Sequence, residues 1–391
     1  MSTALCFTGS FTAQLPIPDA GIAGAETLMC SGALHRYDRA DSEVSGLERD
    51  FANYLGAHYC LAVASGGSAM TVALRAAGVE QGDRVLTNSF TLAPVPGSIA
   101  AAGAFPVFVE TTEDLTIDLD DLAAKLGQAK VLLLSHMRGH ICDMTRLMQL
   151  CDAHDVTVIE DCAHTMGATW EGTPSGRFGA MACYSTQSYK HINSGEGGLL
   201  VSDDAGLMAR AILLSGSYML YDRHGASPTP DAFEGLWPDI PNMSCRMDNL
   251  RAAILRPQID LLDRRCEDWT VRYRVIEEAL RPAAVSLIPR NDREGFVGSS
   301  IQFRLPDWSS ERIADLVSRC GDRGVVLKWF GADRPSGFTS RVDHWRYAES
   351  DGMPRSRDIL RSLLDMRISL TFSEEDCRLI AQIILEEVER G

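Results

Sequence analysis

Paired cysteines and clusters of metal ligands are missing from this sequence. Its eleven cysteines are scattered, with no C-x-x-C pair, and no group of His and Cys has the spacing of a metal site. Scattered cysteines are typical of a reducing compartment, where the thiols pack as small hydrophobic groups. We therefore expect free thiols, no metal ion and a cytoplasmic location.

Long apolar runs and an excess of positive charge are also missing. Residues 1–15 have neither a basic start nor a long apolar core, and the chain has no run of about 18 apolar residues. The formal net charge of −16 repels the phosphate backbone of nucleic acids. We therefore expect no signal peptide, no membrane span and no nucleic-acid partner, although this charge is compatible with a local basic pocket for a small anion.

What the sequence does have is a globular composition and an alternation of strand and helix patterns. Of its 391 residues, 45% are hydrophobic and 23% are charged, which suffices for a large domain and a smaller one. Up to about residue 215, short apolar runs such as 131–135 and 156–160 alternate with amphipathic segments such as 44–56 and 144–154. This βαβ alternation predicts an α/β fold, with a mostly parallel central sheet and helices on both faces.

The C-terminal part of the chain has a different pattern. Residues 219–245 are rich in Gly, Pro, Asp and Ser and predict a long loop, and residues 247–280 predict a long charged helical stretch. Further segments predict strands at 299–305, 325–330 and 366–372, and helices near 310–322, 355–364 and 373–389. We therefore predict two domains: residues 1–255, a large domain with an N-terminal arm, and residues 256–391, a smaller α+β domain.

A small-residue turn, Ser65-Gly66-Gly67-Ser68, leads from a predicted strand into a predicted helix. Two glycines allow a ligand to approach the backbone closely, and a helix N-terminus offers free N–H groups and the positive end of a dipole. Such a turn suits a phosphate. Gly/Ser turns are also common without a ligand, and neither a G-x-G-x-x-G nor a Walker motif occurs here.

An acidic residue and a histidine follow the predicted strand 156–160. Asp161 either caps a local turn or pairs with a protonated ring nitrogen, as the pyridinium of pyridoxal 5′-phosphate (PLP) requires to act as an electron sink. His164 either packs as a structural residue or contacts the same ring. In an open α/β sheet, ligands bind at this end of the strands.

Lys190 follows the apolar run 180–184 and precedes the glycine-rich turn Gly195-Glu196-Gly197-Gly198. Most lysines are solvated at the surface, but a lysine held as the neutral amine is a nucleophile for Schiff-base chemistry. Ser185, five residues earlier, can donate to a phosphate. Together with the turn at 65–68 and Asp161, these residues supply a phosphate cradle, a pyridinium partner and an amine.

The order of these motifs resembles the DegT/StrS-type sugar aminotransferases, which are fold-type I PLP enzymes. The resemblance extends over nearly the whole chain. It rests on Ser65-Gly66-Gly67-Ser68, Gly82-Asp83-Arg84-Val85, Pro106-Val107-Phe108-Val109, His136 and Gly139 before Asp143-Met144, Glu160-Asp161-Cys162-Ala163-His164, Phe178-Gly179, Lys190 with Gly195-Glu196-Gly197-Gly198, Cys245-Arg246-Met247-Asp248 and Ile368-Ser369-Leu370-Thr371-Phe372.

The resemblance implies a role for each matching residue. Lys190 would be the Schiff-base lysine and proton carrier, Asp161 the partner of the pyridine nitrogen, and His164 a neighbour of the ring. The phosphate would be held by Gly66, Gly67, Ser68 and Ser185. Members of this family are homodimers with sites at the subunit interface, and residues 242–246 resemble the loop that a neighbouring subunit contributes, with Ser244 as its cofactor contact.

Several positions depart from the family pattern. Gly67 stands where threonine is usual, Leu92 where an aromatic ring stacks on the cofactor, Ser244 where asparagine is usual, and His191 where asparagine follows the lysine. Arg138 lies in a segment that usually reads Leu-Tyr-Gly, and it either contacts a carboxylate or phosphate of the substrate or forms a surface salt bridge. We expect Arg138 and His191 to face the substrate, and we infer an atypical acceptor.

The resemblance implies a PLP-dependent aminotransferase that moves an amino group from glutamate or glutamine to a keto or aldehyde acceptor, such as a sugar or nucleotide sugar. Alternatives within the fold are a small non-sugar carbonyl acceptor and an elimination instead of a transamination. Sugar dehydratases of this type have His in place of the lysine, so Lys190 argues against them. Two other classes are a cofactor-binding regulator without turnover and a nucleotide-binding protein.

Overall fold

The computed structural model describes residues 5–391 apart from residues 283, 338, 349 and 351. Residues 1–4 of the N-terminal segment considered above lie outside the described residues. The described α-helices are α1 (Asp19–Ser31), α2 (Glu43–Leu55), α3 (Gly66–Ala76), α4 (Pro94–Ala101), α5 (Leu119–Lys125), α6 (Met144–Asp152), α7 (Ala205–Ser215), α8 (Asn249–Leu255), α9 (Leu262–Leu280), α10 (Ser310–Asp322), α11 (Pro354–Arg361) and α12 (Glu374–Arg390).

The described strands form three sheets. They are β1 (Tyr59–Val63), β2 (Arg84–Asn88), β3 (Phe105–Val109), β4 (Val131–Ser135), β5 (Thr157–Asp161), β6 (Thr169–Trp170), β7 (Thr173–Pro174), β8 (Met181–Ser185), β9 (Gly198–Ser202), β10 (Ser286–Leu287), β11 (Glu294–Gly295), β12 (Ser300–Arg304), β13 (Lys328–Trp329) and β14 (Leu363–Arg367).

The largest sheet has seven strands in the order β1-β9-β8-β5-β4-β2-β3. The pairs from β3 to β8 are parallel, and β9 is antiparallel to both of its neighbours. Strand β4 is buried along its whole length, as expected for a strand covered by helices on both faces. This mostly parallel sheet confirms the predicted α/β fold class.

The carboxyl ends of the central strands lie at one edge of this sheet. Strands β4, β5 and β8 are neighbours and end at Ser135, Asp161 and Ser185. Between β1 and α3, Ser65 caps the helix by accepting a hydrogen bond from the N–H of Ser68. The sheet thus brings polar residues that are far apart in sequence to a single edge.

The second sheet contains four strands in the order β10-β12-β14-β13, and every pair is antiparallel. All four strands lie after residue 285. The predicted boundary at residue 255 falls between α8 and the 3-10 segment Arg256–Leu261 that leads into α9, and it stays a prediction. The N-terminal segment reaches this part of the molecule, where Phe11 packs edge-on against Phe372 with ring centroids 5.0 Å apart.

The strand predicted at 366–372 lies earlier in the chain, and only residues 366 and 367 of the prediction belong to it. Strand β14 ends at Arg367, and the chain then turns because Ser369 Oγ accepts a hydrogen bond from the N–H of Thr371 and donates one to Ala13 O. The apolar alternation from Ile368 to Phe372 therefore packs a turn and not a strand. The strand predicted at 325–330 is reduced to Lys328–Trp329.

Helix α1 was not predicted. Only Gly21 and Ala25 are buried along its length, so its sequence has no marked apolar face. The predicted long loop at 219–245 is present and contains two 3-10 segments, in which Tyr221 and Phe233 stack with ring centroids 3.9 Å apart.

None of the helices within the described residues is long and apolar enough to cross a membrane. All eleven cysteines lie within the described residues, and none of them forms a disulfide bond.

Candidate active site at the carboxyl ends of the parallel strands

A cavity of about 620 Å³ lies at the carboxyl ends of β4, β5 and β8. One wall comes from the large sheet and the first turn of α3, and the opposite wall comes from β13, β14 and the segment before β12. Eight of the residues expected from the sequence to bind cofactor or substrate line this cavity: Gly66, Gly67, Leu92, Arg138, Asp161, His164, Ser185 and Lys190.

Asp161 is held in a fixed orientation at the end of β5. Its Oδ2 accepts a hydrogen bond from Ser135 Oγ at 3.0 Å, and its Oδ1 accepts one from the N–H of Ala163 at 3.1 Å. Burial raises the pKa of this carboxyl group, while the nearby charge of Lys190 and these two hydrogen bonds oppose the increase. The carboxylate is therefore oriented by the protein before any ligand binds.

Lys190 is half-buried and lines the same cavity. Burial lowers the pKa of its ammonium group to about 7, from the ordinary value of 10.5. The carboxylate of Asp161 opposes this decrease, whereas the positive charges of Arg138, Lys328 and Arg367 contribute to it. Close to neutral pH, a substantial fraction of Lys190 is the neutral amine, the nucleophilic form.

His164 is a neutral imidazole of defined tautomer. Its Nδ1 accepts a hydrogen bond from the backbone N–H of Arg138 at 3.3 Å, so the ring proton is on Nε2. Burial, reinforced by the charges of Lys190 and Arg138, lowers the pKa of His164 well below its usual range. A neutral ring beside the cavity can pack against a planar ligand without adding charge.

The turn at the start of α3 closes tightly on β8. A Cβ added to Gly66 would lie 2.9 Å from Ser185 Cβ, whereas one added to Gly67 would meet only Ser65 Oγ at 3.7 Å and Ser98 Oγ at 4.0 Å. Only the first glycine is therefore required for the close approach of the two elements.

Because of this difference, Gly66→Ala and Gly67→Ala should have opposite effects on stability. We expect Gly66→Ala to lower the free energy of unfolding by about 1–3 kcal/mol, since Ser185 has to move. Gly67→Ala should be neutral or raise it by roughly 0.5–1 kcal/mol, since alanine suits a helix better. Urea unfolding of the two variants measures both values, and an equal loss in both would contradict this account of the turn.

Three of the expected contacts do not line the cavity. Ser68 is in the turn, but its Oγ bonds to Ser65 Oγ at 3.0 Å. His191 lines a separate void of about 20 Å³, where its ring packs edge-on against Trp269 with centroids 5.1 Å apart. Ser244 is exposed, and its Oγ accepts a hydrogen bond from Arg246 Nη2 at 2.8 Å.

Arg138 does not form the surface salt bridge considered as an alternative. Its side chain is only 9% exposed, and its Nη2 lies 2.9 Å from Oδ2 of Asp365, whose side chain is fully buried. The backbone of Arg138 is left-handed, with φ 55° and ψ 22°, a conformation that costs a non-glycine residue about 1–2 kcal/mol. This turn directs the guanidinium from the large sheet towards the small one.

Sequence analysis missed the cationic residues of the opposite wall. Lys328 is on β13 and Arg367 ends β14, and both line the cavity. Arg367 Nη1 donates to Phe11 O at 2.6 Å, and the guanidinium lies 4.5 Å from the centroid of Tyr189. Burial lowers the pKa of Arg367 to about 10. Cationic residues within otherwise apolar strand patterns were a signal that could have identified them.

Within the part of the chain that the structure describes, one group of possible metal ligands lies together: His136, Glu160 and Cys162. Glu160 is already saturated, because it accepts hydrogen bonds from His136 Nε2 and from the N–H groups of residues 176, 178 and 179. These contacts tie the chain after β4 to the segment before β8. We interpret the group as structural.

The sequence of this chain matches a known protein family. Residues 25–385 match the family model described as the DegT/DnrJ/EryC1/StrS aminotransferase family. The GDP-perosamine synthase of Vibrio cholerae is 31% identical over 223 residues, which cover 56% of this chain and 58% of that enzyme. The chain therefore matches little more than half the length of this relative.

Two further similarities extend over more of the chain. The 3-amino-5-hydroxybenzoate synthase of Amycolatopsis mediterranei is 30% identical over 299 residues, which cover 72% of each chain. The solved structure of Helicobacter pylori PseC, an aminotransferase involved in the biosynthesis of pseudoaminic acid, matches with a TM-score of 0.85. That alignment covers 99% of this chain and 100% of PseC at 15% identity, so it supports the fold alone.

Proposed function

Because this chain belongs to the DegT/DnrJ/EryC1/StrS aminotransferase family, we propose that it is a PLP-dependent aminotransferase. It takes an amino group from glutamate or glutamine and transfers it to a keto or aldehyde carbon of a sugar or sugar-like acceptor. The observation that carries the proposal is the shared cavity of Lys190 and Asp161, in which burial lowers the pKa of the lysine to about 7. A regulator without turnover would not require this buried amine beside an oriented carboxylate.

The residues of the cavity fit PLP. The first turn of α3 approaches β8 so closely that a Cβ at Gly66 would collide with Ser185, which leaves backbone N–H groups and a hydroxyl for a phosphate. In this assignment Gly66, Gly67 and Ser185 hold the phosphate, and Ser68, whose Oγ is bonded to Ser65 Oγ, supports the turn. Asp161 pairs with the pyridine nitrogen, His164 and Leu92 flank the ring, and Lys190 forms the covalent bond to the cofactor.

In the reaction, PLP supplies an electron sink for the carbon atom that loses its proton. Lys190 Nζ, as the neutral amine, removes the α-proton of the donor amino acid and later returns a proton to the acceptor carbon. Asp161 remains ionised and keeps the ring nitrogen protonated, and Ser135 and the Ala163 N–H hold its two oxygens in place. The donor leaves as a 2-oxo acid and the carbonyl acceptor leaves as an amine.

The proposal also includes the assembly and the organisation of the chain. Residues 1–255 form the cofactor-binding domain and residues 256–391 the smaller domain. Two copies form a homodimer in the cytoplasm, with Ser244 contributed to the site of the neighbouring subunit. The exposure of Ser244, away from the cavity of its own chain, supports this arrangement.

The acceptor is either a nucleotide sugar or a smaller cyclic carbonyl compound. Two relatives are named for products of these two sizes, a GDP-perosamine synthase and a 3-amino-5-hydroxybenzoate synthase. Apolar residues form much of the cavity wall, among them Met70, Leu92, Val95 and Met137, and they favour the smaller compound.

The test is amino transfer from a labelled donor. The PLP-loaded protein mixed with glutamate should release 2-oxoglutarate in stoichiometric amount and lose its visible absorbance. A carbonyl acceptor should then restore the absorbance. An enzyme that binds PLP but releases no 2-oxo acid from glutamate or glutamine would overturn the proposed transamination and leave elimination as the alternative.

The uptake of PLP by the apoprotein should depend on pH through Lys190. Only the neutral amine reacts, so the rate should rise with pH and reach half its maximum near pH 7, where burial sets the pKa of Lys190. An ordinary lysine would require a pH near its usual pKa of 10.5. Stopped-flow absorbance over a pH series measures the midpoint, and a midpoint near 10 would contradict a buried reactive amine.

A further inference from the structure

The guanidinium of Arg138 lines the main cavity without a saturating partner. Its side chain is only 9% exposed, and neither Nε nor Nη2 has a hydrogen-bond partner among the described residues. Nη2 lies 2.9 Å from Asp365 Oδ2, but outside hydrogen-bonding geometry, and that oxygen has no hydrogen-bond partner either. Buried polar groups are nearly always hydrogen-bonded, so an exception at a cavity points to a ligand.

Asp365 is a counter-ion built into the small sheet. It lies opposite Gln302 on β12 and opposite Lys328 on β13, so the three side chains point to the same face. Gln302 Nε2 donates to Asp365 Oδ1 at 2.8 Å, and Lys328 Nζ lies 3.9 Å from Oδ2. One buried carboxylate therefore faces two cations, Arg138 and Lys328, and this corner of the cavity keeps an excess positive charge.

The other arginine of the cavity is already engaged. Arg367 Nη1 donates to Phe11 O at 2.6 Å and its Nη2 donates to Gln14 Oε1 at 3.1 Å. Of the two carboxylates that line the cavity, Asp161 is bonded to Ser135 and Ala163, and Glu196 lies in the glycine-rich turn before β9. Among the described residues, Arg138 is thus the cavity guanidinium with two donor atoms, Nε and Nη2, that have no hydrogen-bond partner.

We propose that Arg138 and Lys328, held in position by Asp365, form a subsite for a carboxylate group of a substrate. A planar guanidinium matches the two oxygens of a carboxylate with two parallel N–H groups. Asp365 offsets one of the two positive charges of Arg138 and Lys328, so a carboxylate monoanion balances the remaining charge, whereas a phosphate dianion exceeds it. The proposal rests on the proposed aminotransferase function. It adds that one substrate of the enzyme carries a carboxylate group.

The carboxylate comes from one of two sources, the amino acid donor or a carboxylated acceptor. Two probes separate them. Glutarate imitates the donor and is titrated into the PLP-loaded enzyme, with the neutral glutaramide as its counterpart. The compound 3-oxocyclohexane-1-carboxylate imitates a cyclic acceptor and is titrated into the pyridoxamine-phosphate form, with its methyl ester as its counterpart.

Arg138→Gln should raise the Kd of at least one carboxylate probe by roughly 10- to 100-fold, which is the range for losing charge-assisted hydrogen bonds. Binding of the neutral counterparts should not change. Arg138→Lys keeps the positive charge but lacks the planar guanidinium, so its Kd for the carboxylate probe should lie between those of the wild type and Arg138→Gln. Arg293→Gln is the matched control, because Arg293 pairs with Asp143 and Glu171 at the surface. This variant should bind both carboxylate probes with the Kd of the wild type.

The glutarate arm identifies a donor subsite and the cyclohexane arm an acceptor subsite. If neither probe binds the wild-type enzyme, or if Arg138→Gln binds both within twofold of wild type, the proposal is overturned. Should Arg138→Gln unfold because Asp365 loses its main counter-ion, the double variant Arg138→Gln/Asp365→Asn removes both charges and is measured in its place. If Arg138→Gln takes up PLP normally and binds the carboxylate probes unchanged, only the subsite proposal is wrong. If the wild-type protein takes up no PLP, the proposed function is wrong.

Discussion

Lys190→Ala is expected to lower the rate of amino transfer by roughly 10³-fold or more, since it removes both the nucleophile and the proton carrier. Burial keeps this amine reactive near neutral pH by lowering its pKa to about 7. The variant should still bind PLP through the remaining contacts of the cavity, but without a covalent bond. Borohydride treatment followed by mass spectrometry should therefore add PLP to the wild type at Lys190 and add nothing to the variant.

The chain has only four lysines, which makes this mapping simple. Lys130→Ala is the matched control, because Lys130 is exposed just before β4 and does not line the cavity. It should keep both the borohydride adduct and the full rate of transfer. A Lys190→Ala protein that still acquires the adduct at another position and still turns over would show that Lys190 is not the catalytic amine.

Asp161→Asn is expected to lower the rate of transfer by roughly 10²- to 10³-fold, the usual cost of removing one preorganised electrostatic partner. The amide keeps the shape of the side chain but does not hold the ring nitrogen protonated. The borohydride adduct at Lys190 should remain, because the amine is intact. Single-turnover absorbance with glutamate measures the rate, and the adduct is measured separately by mass.

The loss of this carboxylate has a second consequence that separates electrostatics from folding. The charge of Asp161 opposes the decrease in the pKa of Lys190, so its removal should shift the pH midpoint of PLP uptake below 7. Asp155→Asn, an exposed acid just before β5, is the matched control and should change neither rate nor midpoint. An Asp161→Asn enzyme with the wild-type rate and midpoint would mean that Asp161 is only a structural cap.

One half of the cavity could be predicted from local sequence. Asp161 and Ser185 each follow an apolar run that forms a buried parallel strand, and the carboxyl ends of parallel strands lie at one edge of a sheet. The turn at 65–68 carries its own signals, two glycines and a serine cap. Local pattern and chain direction were therefore enough to bring these residues together.

The opposite half could not be predicted in this way. The strand predicted at 366–372 ends at residue 367, because the serine hydroxyl at 369 forms a turn and competes with the sheet for backbone hydrogen bonds. Lys328 and Asp365 become neighbours only through the register of β13 on β14. Contrary to the prediction, His191 does not line the main cavity, because its ring packs against Trp269.

The sequence by itself determined the α/β fold and the strand-end position of Asp161, because hydrophobic periodicity and turn residues act over short stretches of chain. The order of its motifs carried the family resemblance and, with it, the role expected of Lys190. Only the tertiary structure decided that Lys190 is half-buried, with its pKa lowered to about 7, and that Arg138 lies beside the buried carboxylate of Asp365. Desolvation and charge pairing depend on what other segments bring to the same place. Arg138 and Asp365 are more than two hundred positions apart in the chain, and a local sequence pattern does not reveal such a contact.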